Sequence, residues 1–214
     1  FCGSFDGDGH TLTFNKGTSS SPQTEEFCAP FRYTCNVNLT NLHIAGTIYT
    51  QGQKTAVIGR AHGTTTLTNC WSSIEINSSV NGDGTHAGFI GVMDNGGPTT
   101  LTNCLFDGKM LGSSTNNCGG FIGWTHSSSG ISATFVNCLF DPTEMTVNTS
   151  GGCTYSRGYN RTYINSYYRQ PLGEEQGTAV GSMSNADLAA ALGSAWSVSG
   201  EKVVPVLSLW QGRS

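Results

Sequence analysis

The sequence is short of charge: only 11% of its 214 residues are Asp, Glu, Lys or Arg, with ten basic residues in all and a net charge of −4. So few cations supply no broad basic face, which argues against nucleic acid as a partner. Long apolar runs are also missing. The stretch Val203 to Leu209 contains Pro205 and falls far below the roughly 20 residues of a spanning helix, so no direct membrane insertion is expected. None of the eight cysteines stands in a CxxC pair, which removes the usual zinc and thioredoxin-type motifs. Nothing in composition or spacing calls for a cofactor.

What the chain does contain suits many short strands joined by tight turns. There are 29 glycines and a crowd of Ser, Thr and Asn, yet apolar residues reach 36% and aromatics 10%. A disordered chain would have fewer aromatics and more net charge. The length is enough to bury a real core. Eight cysteines are many for a reducing cytosol, so an exported protein, extracellular or at a cell surface, is expected. The chain starts at Phe1 without a charged leader, and any export signal or anchor is expected to lie outside it. Sequons at Asn38, Asn77, Asn148 and Asn160 are read as chance occurrences in an Asn-, Ser- and Thr-rich chain.

The strongest signal is an internal repeat. One anchor reads Leu39-Thr40-Asn41-Leu42, Leu67-Thr68-Asn69-Cys70, Leu101-Thr102-Asn103-Cys104, Phe135-Val136-Asn137-Cys138 and Tyr163-Ile164-Asn165-Ser166. Its Asn recurs at spacings of 28, 34, 34 and 28. A second anchor keeps step with it: Val57-Ile58-Gly59, Phe89-Ile90-Gly91 and Phe121-Ile122-Gly123. The units lack helical periodicity, are too short for a propeller blade of roughly 40 to 45 residues, and lack the Leu pattern of leucine-rich repeats. One coil of a three-sided β-solenoid remains, with about five coils stacked in parallel at about 4.8 Å. Asn41, Asn69, Asn103, Asn137 and Asn165 then form a structural amide ladder. Cys70, Cys104 and Cys138 stack beside it as reduced core residues, because parallel Cβ vectors make poor disulfide geometry.

The opening Phe1-Cys2-Gly3-Ser4-Phe5-Asp6-Gly7-Asp8-Gly9-His10 resembles the segment that begins the first coil in many parallel β-helix proteins. The Gly-Phe-Ile-Gly anchors resemble the GLUG-type repeats of bacterial cell-surface, adhesin-like proteins. These resemblances cover about residues 1–170 and imply an all-β, right-handed parallel β-helix. The first unit has Ala29-Pro30-Phe31 at the second-anchor position, which leaves its register open. Residues 171–214 read as a C-terminal cap of the same domain. Ser184-Asn185-Ala186-Asp187 is a capping box entering a helix over about 185–192, Gly193 is its stop, and a strand follows over about 203–209. Such a cap is expected to close the open solenoid end.

Four groups could carry chemistry. Arg157, Tyr159, Arg161 and Tyr163 lie in a segment rich in Arg and Tyr, and strand alternation would put them on one face able to stack on sugars, against the commoner reading in which the Tyr pack under the cap and the Arg are solvated. His62, Asp94 and His126 follow the second anchor at spacing 32 and are weak candidates for a metal column, against the commoner solvated-turn reading. Asp107 and Asp141 occupy equivalent positions and could form a carboxylate pair, against the commoner reading in which both cap turns after Leu-Phe. Asp6 and Asp8 fit a tight turn better than a calcium loop. No catalytic residue is assigned. The leading expectation is a non-catalytic adhesion or spacer module of an exported bacterial surface protein, recognising a glycan or a surface protein. The rivals are a carbohydrate-active β-helix enzyme and a homo-oligomer or filament joined through coil ends.

Overall fold

The computed structural model describes residues 1–207. It is an all-β parallel solenoid of about five turns, with one helix among the described residues. Two nine-stranded sheets form two of its sides. Sheet A stacks Cys2–Asp6, Phe31–Thr40 and Ile58–Thr68, then rungs interrupted by a short turn or loop: Ile90–Asn95 with Pro98–Thr102, Ile122–Thr125 with Ser132–Val136, and Ser156–Gly158 with Arg161–Ile164. Sheet B stacks Thr11–Thr13, His43–Thr50, Trp71–Ser78, Leu105–Phe106 and Leu139–Phe140 with their continuations, then Tyr167–Tyr168 and Thr178–Ala179. The third side is irregular, held by bridges such as Ala87 to Gly119 to Cys153 to Glu174.

The repeat anchors are the inward columns of sheet A. Leu39, Leu67, Leu101, Phe135 and Tyr163 are in register, as are Phe31, Ile58, Ile90 and Ile122. The pairing of Phe31 with Ile58 fixes the first unit's register. Inside, Phe89, Phe121 and Tyr155 stack with ring centroids 5.1 and 4.7 Å apart, filling the solenoid along its axis. The anchor glycine permits this stacking, since a Cβ on Gly91 would lie 2.6 Å from Gly59 O and one on Gly123 2.5 Å from Gly91 O.

All five anchor asparagines adopt left-handed φ values of 46 to 53°, the conformation that Asn tolerates best after Gly. Their amides also form the expected ladder. Asn69 Nδ2 donates to Asn41 Oδ1 at 3.3 Å, Asn103 to Asn69 at 3.1 Å and Asn165 to Asn137 at 2.8 Å. The ladder starts on Asp6, which accepts from Asn41 at 3.2 Å, and is interrupted at Asn103 Oδ1, which is buried without a partner.

Cys70, Cys104 and Cys138 are fully buried free thiols, and Cys104 and Cys138 donate to the carbonyls of Thr102 and Leu101 at 3.4 and 3.3 Å. Burial pushes the Cys104 thiol well above its usual range. Cys2 and Cys35, by contrast, are also stacked on neighbouring rungs, with Cα atoms 4.8 Å apart, and form a disulfide. A register shift beside this pair breaks the parallel geometry that the inner column keeps. The expected outcome of thiol titration is slow labelling of the native protein and six fast-reacting thiols per chain after denaturation, from Cys28, Cys70, Cys104, Cys118, Cys138 and Cys153. Rapid native labelling of the inner column would contradict its burial.

The tail corrects one expectation. Ser184 caps the helix Asn185–Leu192 as foreseen, accepting from Asp187 N at 3.1 Å and donating to Asp187 Oδ2 at 2.7 Å. The expected strand over 203–209 is observed as Lys202–Pro205, antiparallel to Trp196–Ser199, and positions 208 and 209 lie outside the described residues. Over its described residues this unit does not lie across the coil end. It folds back along the outer side of sheet B, where Leu105, Leu139, Leu188, Leu192, Trp196 and Val203 make a second apolar core. The reason is the Leu-Phe pair in two rungs: Phe106 and Phe140 fill the solenoid, so Leu105 and Leu139 face out and require cover. Gln176 serves the last coil instead. Its buried side chain accepts from Tyr155 N and Ser156 N and donates to Ser156 O, at 2.8 to 2.9 Å.

Candidate functional site

The outer side of sheet A carries a column in register: Tyr33, Arg60, Val92 and Trp124 on four successive rungs. Arg157 follows on the next. Its guanidinium carbon lies 5.2 Å from the Trp124 ring centre, and its Nη1 donates to Asn117 O at 2.6 Å and to Thr85 Oγ1 at 3.3 Å. Tyr159 is exposed and meets Trp124 edge-on at 6.0 Å, and His126 meets it at 6.3 Å. Trp124 and Arg157 thus form a ridge between two clefts. One, of about 250 Å³, is lined by Lys54, Asp83, Thr85, Val92 and His126 in addition to the ridge. The other, of about 310 Å³, includes Cys153, Tyr159, Arg161 and Glu174.

The expected face of Arg157, Tyr159, Arg161 and Tyr163 is therefore formed only in part, with Tyr163 missing from the cleft that the other three line. Gly158 and Asn160 both take positive φ, 98° and 53°, and the chain turns between two short strands. Arg157 and Tyr159 stay with the outer face. Arg161 and Tyr163 fall in register with the buried Ala133 and Phe135; Tyr163 packs into the end of the solenoid, whereas the Arg161 side chain lines the second cleft beside Tyr159. Tyr163 stacks on Phe135 at 5.6 Å, and burial pushes its phenol well above the usual range. Arg161 donates to Ser156 O at 2.7 Å and pairs with Glu174 at 3.5 Å. Trp124 was not singled out in the sequence. Its position, two residues after Ile122 as Arg60 follows Ile58, would have marked it as outward-facing.

The proposed His62, Asp94 and His126 column does not form. A one-residue register shift after Ala61 sets His62 opposite Asn95, and Asp94 pairs with Arg60. Among the described residues no group of three or more His, Cys, Asp or Glu is placed to hold a metal ion. Asp6 and Asp8 make the expected turn: Asp8 N donates to Asp6 Oδ1 at 2.9 Å, and this bond holds the Asp6 carboxyl below its usual range.

Asp107 and Asp141 occupy adjacent coils, but each already has a cation. Asp107 is buried under the tail, where Lys202 Nζ donates to it at 2.8 Å, Trp71 Nε1 at 2.7 Å and Ser73 Oγ at 2.6 Å. Burial raises the Asp141 carboxyl against the pull of Arg169, which lies 3.1 Å away. His43 Nε2 reaches Ser73 Oγ at 2.9 Å. Because the Ser73 proton goes to Asp107, His43 must donate to Ser73 rather than deprotonate it. This His, Ser and Asp are in the wrong order for nucleophilic activation, where the base accepts from the hydroxyl.

Comparison of the chain with protein-family models, with curated proteins and with solved structures finds no match in any of the three.

Proposed function

We propose that the chain is a non-catalytic adhesion or spacer module of an exported bacterial surface protein, and that it binds a glycan on the outer side of sheet A. The observation that carries this reading is the Trp124 ridge, an indole flanked by Arg157, Tyr159 and His126 and open to clefts on both sides. Sugars present apolar C–H faces and polar rims, and an aromatic ring edged with charged hydrogen-bonding groups complements both. Sheet A holds Trp124 and Arg157 on adjacent rungs of one ladder, so little ordering of these two is needed on binding. The Cys2–Cys35 disulfide supports export.

A glycan array followed by calorimetry tests the reading. Trp124→Ala is expected to weaken binding of any array hit by about tenfold to a hundredfold, in line with loss of a central aromatic anchor. Tyr33→Ala, three rungs away in the same column, is expected to change it less than threefold. An array without hits, or a Trp124→Ala variant that binds as tightly as the parent, would remove the site.

A further inference from the structure

We infer that the ligand at the Trp124 ridge is an uncharged, hydroxyl-rich sugar rather than one carrying a carboxylate or sulfate, and that Asp83 is the residue enforcing this choice. The inference rests on the glycan reading above and narrows it.

Every cation along this side of the solenoid is matched by an acid. Lys54 pairs with Glu26, Arg60 with Asp94, Arg157 with Asp83 at 3.9 Å and Arg161 with Glu174 at 3.5 Å. Among the described residues lining the two clefts, no Lys or Arg is left over to meet an anion. Arg157 is the cation in contact with the indole, and the anion facing it across the cleft, Asp83, has a side chain 48% exposed and therefore open to a ligand. An acidic sugar would have to approach Arg157 past that carboxylate, and like charges in one small cleft repel.

A neutral sugar meets no such obstacle. Neighbouring hydroxyls of a pyranose each donate and accept, so one can give its proton to Asp83 while the next accepts from Arg157. The ring's C–H face then rests on Trp124. The ion pair works as a joined donor and acceptor, and charge-assisted hydrogen bonds are the stronger kind. Val92 adds an apolar wall beside the indole. His126 is the one remaining titratable group at the cleft, and it is a separate potential source of positive charge.

Matched oligosaccharides test the assignment: neutral hexose or N-acetylhexosamine chains against the same backbones bearing uronate or sulfate, titrated by calorimetry at low and at moderate salt. The neutral members are expected to bind at least tenfold more tightly, with affinity changing less than twofold between the salts. Asp83→Asn is expected to weaken neutral binding about tenfold and to raise binding of the acidic partner, because it uncovers the Arg157 charge. His126→Gln is expected to leave the preference intact. Tighter binding of the acidic members by the parent protein, or an Asp83→Asn variant with unchanged preference, would overturn the assignment while leaving a glycan site. Absence of binding by every member, neutral and acidic, would overturn the glycan reading and this assignment together.

Discussion

Asp107→Ala is expected to loosen the C-terminal helix and hairpin on the solenoid and to lower stability by about 2 to 4 kcal/mol. The carboxylate is 4% exposed and gathers three donors: Lys202 Nζ from the tail, and Trp71 Nε1 and Ser73 Oγ from the preceding rung. Removing it leaves the indole N–H and the hydroxyl without their acceptor beneath the tail, and a buried donor left unmade costs about 1 to 3 kcal/mol. Lys202 suffers less, because half of its side chain is exposed and can rehydrate. The apolar contacts of Leu188, Leu192, Trp196 and Val203 with Leu105 and Leu139 would remain, so the effect is concentrated in the tail. Hydrogen exchange is the discriminating measurement. Amides of residues 185–205 should exchange much faster in Asp107→Ala, while those of the inner rungs of sheet A keep their protection. Asp107→Asn keeps an oxygen for Trp71 and Ser73 and should fall between the two proteins. Equal protection of the tail in all three would show that the apolar contacts alone hold it.

That contact was hard to foresee because it joins residues 95 positions apart through no repeat. The coils themselves were legible for the opposite reason. In a parallel solenoid each residue meets its own equivalent one unit later, so sequence periodicity and spatial contact are the same thing. The Asn at 41, 69, 103, 137 and 165 therefore counted the coils and located one corner. Even the tail's helix was readable, because a capping box is a local device. What could not be read was the tail's destination. The clue lay in Leu105-Phe106 and Leu139-Phe140, where two large apolar residues in succession must face opposite ways on a strand and one of them must be covered from outside.

The site was partly legible for a related reason. Arg157 and Tyr159 stand where a change in composition drew attention, and both lie at the ridge. Arg161 and Tyr163 were assigned to the same face by simple alternation, which fails for Tyr163 once Gly158 and Asn160 take positive φ and turn the chain. The His62, Asp94 and His126 column failed through the same kind of error, a single bulged residue after Ala61. On a strand, one inserted residue exchanges the two faces, so face assignments are reliable only as far as the nearest bulge. The anchors survive because they lie on the unbroken parts of each rung.

Acidification is expected to destabilise the solenoid chiefly through His86. The ring is 1% exposed, and its two nitrogens have opposite duties: Nδ1 accepts from Thr55 N at 3.1 Å, and Nε2 donates to Ser78 Oγ at 2.8 Å. A proton added at Nδ1 would face the Thr55 N–H donor in a buried site, and burial lowers the ring from its usual 6.5 to about 4, against the smaller opposing pull of Asp83. The native state therefore holds fewer protons on His86 than the unfolded chain does. Its contribution is complete above pH 6.5 and drains away as pH falls toward 4, by roughly 3 kcal/mol over that span. His43, also lowered by burial, acts in the same direction. Asp141 acts in the opposite direction at the acid end, since its raised carboxyl is more readily protonated in the folded state. His86→Asn retains an oxygen for the Thr55 N–H but cannot titrate. It should be less stable than the parent at pH 7.5, because a smaller side chain leaves a cavity, and it should lose much less further stability by pH 4.5. Urea unfolding of the two proteins across this range provides the measurement, and parallel pH profiles would show that the acid sensitivity lies elsewhere in the chain.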